Sequence, residues 1–278
     1  ILPAAEVKIR NRDVEYGYRP DSDFYYMTGF AEPSAVAVLV PGRPHGEYIL
    51  FCRERDPERE AWDGPRAGPD GAVSECGADD AFPITDIDDI LPGLIEQSDR
   101  VYYTMGTHPE FDQQVVGWIN KLRSQAGRGV GTPEEFVALD HLLHDMRLYK
   151  SRAEISVMRK SARIAAAAHR RGMRACRPGM MEHELEAEYL YEFRKAGAAT
   201  SYEPIVGAGA NACVLHYVAN DARVGDGDLV LVDAGCELDY YASDITRTFP
   251  ASGVFTKVQR ASYDIGLAAQ QAAIDTVR

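Results

Sequence analysis

Long apolar runs and an excess of basic residues are both missing from the sequence. No stretch of about 18 apolar residues occurs, so we expect no membrane-spanning helix and no membrane partner. Residues 1–12 lack the basic segment and apolar block that form a secretory signal. The formal net charge is −13. Nucleic-acid-binding proteins generally present a basic face, so nucleic acid is not expected as a partner either.

Cysteine is also scarce. The five cysteines are an odd number, and none belongs to a Cys-x-x-Cys pair: Cys52, Cys76, Cys176, Cys213 and Cys236. Unpaired thiols are typical of proteins from reducing compartments. We therefore expect reduced cysteines and a cytoplasmic location.

The length predicts two domains, because 278 residues exceed what one hydrophobic core usually organises. In residues 1–147, the apolar runs 35–40 and 48–52 predict a pair of strands across a Pro-Gly turn. Residues 109–125 show the apolar periodicity of a helix. Residues 56–71 are rich in proline, glycine and charge and are expected to form an exposed loop. This half is predicted to be an α/β domain with a mixed sheet.

Residues 148–278 begin with two predicted helices. Ser151 and Glu154 have the spacing of a capping box, which opens a helix predicted to end near Cys176. A second helix is predicted over residues 181–197 and ends at a glycine. Strands are predicted at residues 200–205, 229–237 and 240–249. Helices followed by antiparallel strands indicate an α+β domain, which we expect to be incomplete because a helical pattern runs to the last residues.

The most informative segment is a predicted hairpin that contains Asp233 and Asp244. If the chain turns at Leu238-Asp239, the two aspartates lie directly opposite each other on one face, with β-carbons about 5 Å apart. Adjacent negative charges are unfavourable unless a positive charge lies between them. Carboxylate oxygens suit Mn²⁺, Mg²⁺, Co²⁺ or Zn²⁺, and two such ions about 3.5–4 Å apart would fit the pair.

The same segment allows a structural interpretation. One aspartate could cap the turn while the other pairs with Arg247. Leu-Asp is not a favoured hairpin turn, and the spacing alone does not decide between the two interpretations.

Three segments carry a resemblance to a known family: Asp233-Ala-Gly-Cys-Glu, Tyr241-Ala-Ser-Asp-Ile-Thr-Arg-Thr-Phe-Pro and Asn211-Ala-Cys-Val-Leu-His-Tyr. They are similar to segments of aminopeptidase P, in the creatinase-like or "pita-bread" family of metallopeptidases. Residues 19–30 resemble part of that family's amino-terminal domain, and residues 148–155 resemble the opening of its catalytic domain. The resemblance implies a creatinase-type amino-terminal domain over residues 1–147 and the first half of a pita-bread domain over residues 148–278.

The resemblance implies a metal-dependent aminopeptidase that releases the first residue from peptides with proline at the second position. Asp233 and Asp244 would be two of five ligands of a dinuclear site, with Mn²⁺ the expected metal, and a hydroxide bridging the metals would attack the scissile carbonyl. His216 matches the active-site histidine, expected to be catalytic and to bind substrate; a satisfied core histidine is the alternative. Trp62 resembles a substrate-binding residue offered by a neighbouring subunit; a surface tryptophan without function is the alternative. The implied partners are proline-containing peptides and further copies of the chain, in a homodimer or homotetramer.

The family's other metal ligands, a histidine and two glutamates, belong to segments that this sequence does not contain. By itself, the polypeptide is therefore expected to be inactive. Two other functions on this fold remain open at this point. One is prolidase activity, the cleavage of Xaa-Pro dipeptides, and the other is a non-catalytic pita-bread module that binds a partner.

Overall fold

The computed structural model describes residues 1–277, apart from the side chain of Arg128. Its contacts divide the chain into two units, Ile1–Tyr149 and Lys150–Arg278. Each unit has its own elements and its own buried core.

The first unit consists of short strands and helices. Its strands are β1 (Leu2–Pro3), β2 (Ile9–Asn11), β3 (Val14–Glu15), β4 (Val36–Leu39), β5 (Tyr48–Cys52), β6 (Asp80–Pro83), β7 (Arg100–Tyr102) and β8 (Glu135–Val137). Its helices are α1 (Ser22–Thr28), α2 (Pro57–Asp63), α3 (Gly68–Cys76), α4 (Ile87–Ile95), α5 (Pro109–Ser124) and α6 (Asp140–Leu148). The main sheet has the order β1-β4-β5-β6, antiparallel except for the parallel pair β5 and β6. The predicted mixed sheet is confirmed.

The predicted hairpin and helix of this unit are also confirmed. Strands β4 and β5 pair antiparallel, with Leu39 opposite Tyr48 at the turn. Helix α5 buries one face, including Phe111 and Val115, in a core shared with α4 and the sheet. Trp118 lies on the same face and donates from its Nε1 to Asp88 at 2.8 Å, which satisfies its buried N–H group.

The predicted loop over residues 56–71 is wrong, because helices α2 and α3 occupy much of it. Asp56 caps α2: its side chain accepts from the backbone N–H groups of Glu58 and Arg59 at 3.1 and 3.2 Å. Pro57 follows at the first helical position, where a proline lacks only an N–H group that would be unpaired anyway. Two of the prolines that suggested a loop, Pro57 and Pro69, therefore mark helix starts.

The second unit contains helices and antiparallel strands. Its helices are α7 (Arg152–Ala175), α8 (Glu182–Lys195) and α9 (Lys257–Thr276). Its strands are β9 (Ala199–Thr200), β10 (Ile205–Ala208), β11 (Leu229–Asp233), β12 (Cys236–Leu238), β13 (Tyr241–Ala242) and β14 (Thr246–Pro250). They form two antiparallel sheets with the orders β10-β11-β14 and β13-β12-β9. The predicted α+β arrangement is confirmed.

Local signals set the first two helices of this unit. Ser151 caps α7 in a capping box, in which its hydroxyl accepts from the Glu154 N–H at 3.3 Å and its N–H donates to the Glu154 carboxylate at 2.6 Å. Helix α8 buries the predicted face completely, with Leu185, Tyr189 and Phe193 all 0% exposed. These side chains form the core with the inner residues of β10 and β11.

The strand predicted over residues 200–205 is interrupted. The chain leaves β9 after Thr200 and enters β10 at Ile205, and Pro204 between them has no N–H group for a ladder bond. The intervening loop contains Tyr202. Among residues 1–277, no helix combines the length and the apolar character that a membrane span requires.

Candidate metal site

The hairpin that carries the two aspartates turns one residue later than predicted. Asp239 and Tyr240 form the turn, with φ angles of 48° and 64°, and Leu238 pairs with Tyr241. Two left-handed residues in a row match the twist of the flanking strands. Asp233 therefore lies opposite Thr246 and not opposite Asp244. The predicted direct pairing is wrong.

The two aspartates nevertheless share a face. The register differs from the predicted one by two positions, and side chains repeat every two residues along a strand. The new register continues between the strands, since Ala234 donates to the Ile245 carbonyl at 3.1 Å and Ser243 donates to the Cys236 carbonyl at 2.8 Å. Asp244 is thus the diagonal neighbour of Asp233, within reach of a common partner.

Gly235 lies where the two chain segments approach most closely. A β-carbon at this position would lie 1.8 Å from the Ser243 carbonyl oxygen and 2.6 Å from the Ser201 hydroxyl. The Ser201 hydroxyl itself donates to the Ser243 oxygen at 2.8 Å. Glycine is required here because the backbone of the Asp244 segment occupies the space of a side chain.

Tyr202 joins the two aspartates. Its hydroxyl is a hydrogen-bond partner of the Asp233 carboxylate and lies 3.0 Å from Oδ1 of Asp244. Burial, followed by the hydrogen bond to Asp233, raises the pKa of Tyr202 well above its usual range. The hydroxyl therefore keeps its proton at neutral pH. Sequence reasoning missed this residue, because nothing in its spacing links it to either aspartate.

The arrangement fits part of a divalent cation site. A tyrosine hydroxyl has one proton, so it can donate one full hydrogen bond but not two. Two carboxylates beside one proton leave an excess of negative charge, which a cation between them would offset. Carboxylate oxygens are suitable ligands for such an ion. Within residues 1–277, no group of three or more His, Cys, Asp or Glu side chains is placed to hold a metal, so the described residues offer two ligands.

His169 of α7 supports the aspartate segment from the buried side. It is 3% exposed, and its Nε2 lies 3.2 Å from the carbonyl oxygen of Ala234, the residue after Asp233. Burial lowers the pKa of His169 below its ordinary value of 6.5, so the ring is neutral and Nε2 donates. Its Nδ1 has no partner among the described residues. Sequence reasoning missed this histidine as well, since it lies within an ordinary helical pattern.

The other two predicted site residues are solvent exposed. His216 lies in the segment between β10 and β11, and no hydrogen bond joins its side chain to Asp233 or Asp244 within the described chain. In the described chain it does not belong to a buried core, and its catalytic role stays a prediction. Trp62 lies on α2 of the first unit and is 87% exposed.

Two family models match the chain. One, described as "Aminopeptidase P, N-terminal domain", matches residues 1–102. The other, described as "Metallopeptidase family M24", matches residues 156–278 and includes both aspartates. The chain belongs to the M24 metallopeptidases, the class that this fold and the acidic pair define.

Similar proteins indicate which group of M24 metallopeptidases the chain belongs to. The Xaa-Pro aminopeptidase of Escherichia coli K12 is 45% identical over 269 residues, which are 96% of this chain and 61% of the relative. The mitochondrial intermediate cleaving peptidase 55 of Arabidopsis thaliana is 38% identical and is covered over 52% of its length. The chain thus spans about three fifths or less of these relatives. Within the M24 family, it belongs to the aminopeptidase P group.

Solved structures agree with this assignment. Aminopeptidase PepP of Pseudomonas aeruginosa is 64% identical with a TM-score of 0.97, over 99% of this chain and 62% of that one. A zinc-substituted E. coli aminopeptidase P in complex with product is 42% identical with a TM-score of 0.95, over 100% and 65% of the two chains. The predicted fold, a creatinase-type amino-terminal domain followed by part of a pita-bread domain, is confirmed.

Proposed function

We propose that the intact protein is a metal-dependent aminopeptidase that releases the first residue from peptides with proline at the second position. The observation that carries this proposal is the convergence of Asp233 and Asp244 on one tyrosine hydroxyl. The names of the relatives supply the substrate class, since several are called Xaa-Pro aminopeptidases. Because the chain spans only part of those relatives, the activity is proposed for the intact protein.

Asp233 and Asp244 would hold two divalent ions, for which we propose Mn²⁺. Such ions supply Lewis acidity for a peptide carbonyl and activate water at neutral pH. Tyr202 orients the two carboxylates through its hydroxyl. The neutral His169 holds the backbone carbonyl between Asp233 and Gly235, so the carboxylates are fixed from both sides.

His216 and Trp62 are proposed to contact the peptide. An exposed imidazole can donate to or accept from a peptide group, and an exposed tryptophan offers a flat apolar surface to a proline ring. Trp62 would serve a neighbouring subunit in a homodimer or homotetramer. A cytoplasmic location is also proposed, supported by the free state of the five cysteines.

The test measures release of the first residue from an Xaa-Pro-Pro tripeptide by the intact protein, with added Mn²⁺ and with a chelator. Asp233→Asn and Asp244→Asn are expected to lose metal and at least about a hundredfold in kcat/KM, because one ligand of each ion is weakened. Asp239→Asn is the matched control. It removes the same charge from the adjacent turn, where asparagine tolerates the left-handed conformation, and should retain full activity.

Three results would overturn the proposal. Cleavage that resists the chelator would exclude the metal mechanism. Cleavage of Xaa-Pro dipeptides but not of tripeptides would indicate a prolidase. A protein with no bound metal and no cleavage of either substrate would indicate a non-catalytic binding module.

A further inference from the structure

Glu182, the first residue of α8, has a carboxylate that is completely withdrawn from solvent, at 0% exposure. A buried charge is unfavourable unless it is paired or fully hydrogen-bonded. Among the described residues, no Lys, Arg or His side chain forms an ion pair with Glu182. Its stabilisation must therefore come from uncharged donors.

Four uncharged donors surround the carboxylate. Oε1 accepts from the Ala208 N–H at 2.8 Å and from the Asn211 side-chain amide at 3.2 Å. Oε2 accepts from the Tyr217 hydroxyl at 2.7 Å and from the Ala222 N–H at 2.9 Å. All four donors belong to one stretch of chain, residues 208–222, which we name the His216 segment. One buried side chain thus holds the start, the middle and the end of this segment.

The His216 segment has little structure of its own. It contains one short 3₁₀ turn, Gly209–Cys213, and then runs through exposed residues, of which Leu215 is 89% exposed. His216 lies directly before Tyr217, whose hydroxyl is bound by Glu182. A segment without a ladder or a helix keeps one conformation only through specific contacts. Through Tyr217, Glu182 supplies such a contact directly beside His216.

A second contact lies farther along the segment. Asn220 accepts from the Val206 N–H at 2.9 Å and donates to the Glu186 carboxylate at 2.9 Å. Glu186 lies one turn after Glu182 on the same helix, is partly exposed, and is bound by a single amide. The chain therefore offers a matched comparison: two glutamates of α8, of which only Glu182 gathers four donors.

We propose that Glu182 is a positioning residue that fixes the conformation of the His216 segment and so presents His216 to the peptide. This inference rests on the proposed aminopeptidase function for its last step. Glutamine at position 182 would keep the size of the side chain but would direct an NH₂ group at two of the four donors. In one orientation of the amide the Ala208 N–H would lose its acceptor, and in the other the Ala222 N–H would lose it. The Tyr217 hydroxyl could still donate to Asp221, 3.0 Å away.

The first experiment needs no substrate. Hydrogen exchange is compared in the intact protein carrying Glu182→Gln or Glu186→Gln. For Glu182→Gln, at least one of the Ala208 and Ala222 amides should exchange about tenfold faster or more, while Val232 in β11 keeps its protection. The imidazole resonances of His216 should shift. Glu186→Gln should leave all of these signals as in the wild type.

The second experiment is a double-mutant cycle on peptide cleavage. Glu182→Gln should raise KM or lower kcat about tenfold with the metal content unchanged, and should add little in a His216→Ala background. Equal effects in both backgrounds would overturn the positioning role. So would unchanged exchange at Ala208 and Ala222, or an equal loss of protection throughout the second unit. If the wild type cleaves no peptide, the proposed function fails, while the exchange and resonance data still decide whether Glu182 fixes the segment.

Discussion

Replacing Gly235 by alanine should push apart the two chain segments that carry Asp233 and Asp244. The added β-carbon would lie 1.8 Å from the Ser243 carbonyl oxygen, whereas ordinary contact begins at 3.4 Å. The backbone must therefore part by about 1.6 Å at this point, because the neighbour is main chain and cannot rotate away. Overpacking of this kind typically costs about 1–3 kcal/mol, and we expect the upper end.

The same displacement would separate Asp233 from Asp244, which lie on the two segments. We expect the midpoint of thermal unfolding to fall by about 6–12 °C, at about 2–4 °C per kcal/mol for a domain of this size. We also expect Mn²⁺ affinity, measured by titration calorimetry on the intact protein, to fall at least about tenfold, which corresponds to about 1.4 kcal/mol.

Gly117→Ala is the control for this change. Gly117 lies within α5, has no atom near the position of an added β-carbon, and should become slightly more stable as alanine. If Gly235→Ala binds Mn²⁺ and unfolds like the wild type, the close approach to Ser243 does not constrain the site and the reasoning is refuted.

Three further changes test other parts of the structure. Ser151→Ala removes one half of the capping box of α7 and should cost about 1 kcal/mol, measured as a 2–4 °C lower unfolding midpoint. His169 has a lowered pKa in the folded state, caused first by burial, so its contribution is complete above its unfolded value of 6.5 and is lost as the pH falls below it. The difference in unfolding midpoint between the wild type and His169→Gln should therefore shrink from pH 7.5 to pH 5.5. Trp62→Ala removes an 87% exposed side chain and should change the free energy of unfolding by less than about 0.5 kcal/mol.

For each of these three predictions, one outcome would contradict the physical reasoning. An unchanged midpoint for Ser151→Ala would mean that the cap adds nothing to the intact fold. A difference for His169→Gln that grows towards low pH would mean that the folded state binds the proton more tightly than the unfolded chain. A large destabilisation by Trp62→Ala would show that the side chain is buried in the intact protein.

Elements defined by neighbouring residues were predictable. The start of α7 depends on a contact between residues three apart, and the buried face of α8 repeats every three to four residues. The hairpin of β4 and β5 likewise follows from two apolar runs around a Pro-Gly turn. In these cases, the interactions that stabilise the element are already present within a short window of sequence.

Local rules failed where backbone conformation decided the outcome. Asp239 and Tyr240 both adopt the left-handed conformation, and nothing in their residue types demanded a turn at that position. A shift of one residue in the turn changed the partner of Asp233 from Asp244 to Thr246. The start of α2 is a different case: Asp56 caps the helix and Pro57 takes its first position, so the signal was local and the loop prediction overlooked it.

The family was contained in the sequence, since the motif around Asp233 and Asp244 carries the resemblance that the family models bear out. Metal binding by the two aspartates stays a prediction. The contacts that hold the aspartate segments and the His216 segment in place were decided by tertiary structure alone. Tyr202 reaches Asp233 across 31 residues of sequence, His169 reaches Ala234 across 65, and Glu182 reaches Ala208 across 26. Contacts at such separations leave no periodicity or spacing in the sequence, because they exist only after the helices have packed against the strands.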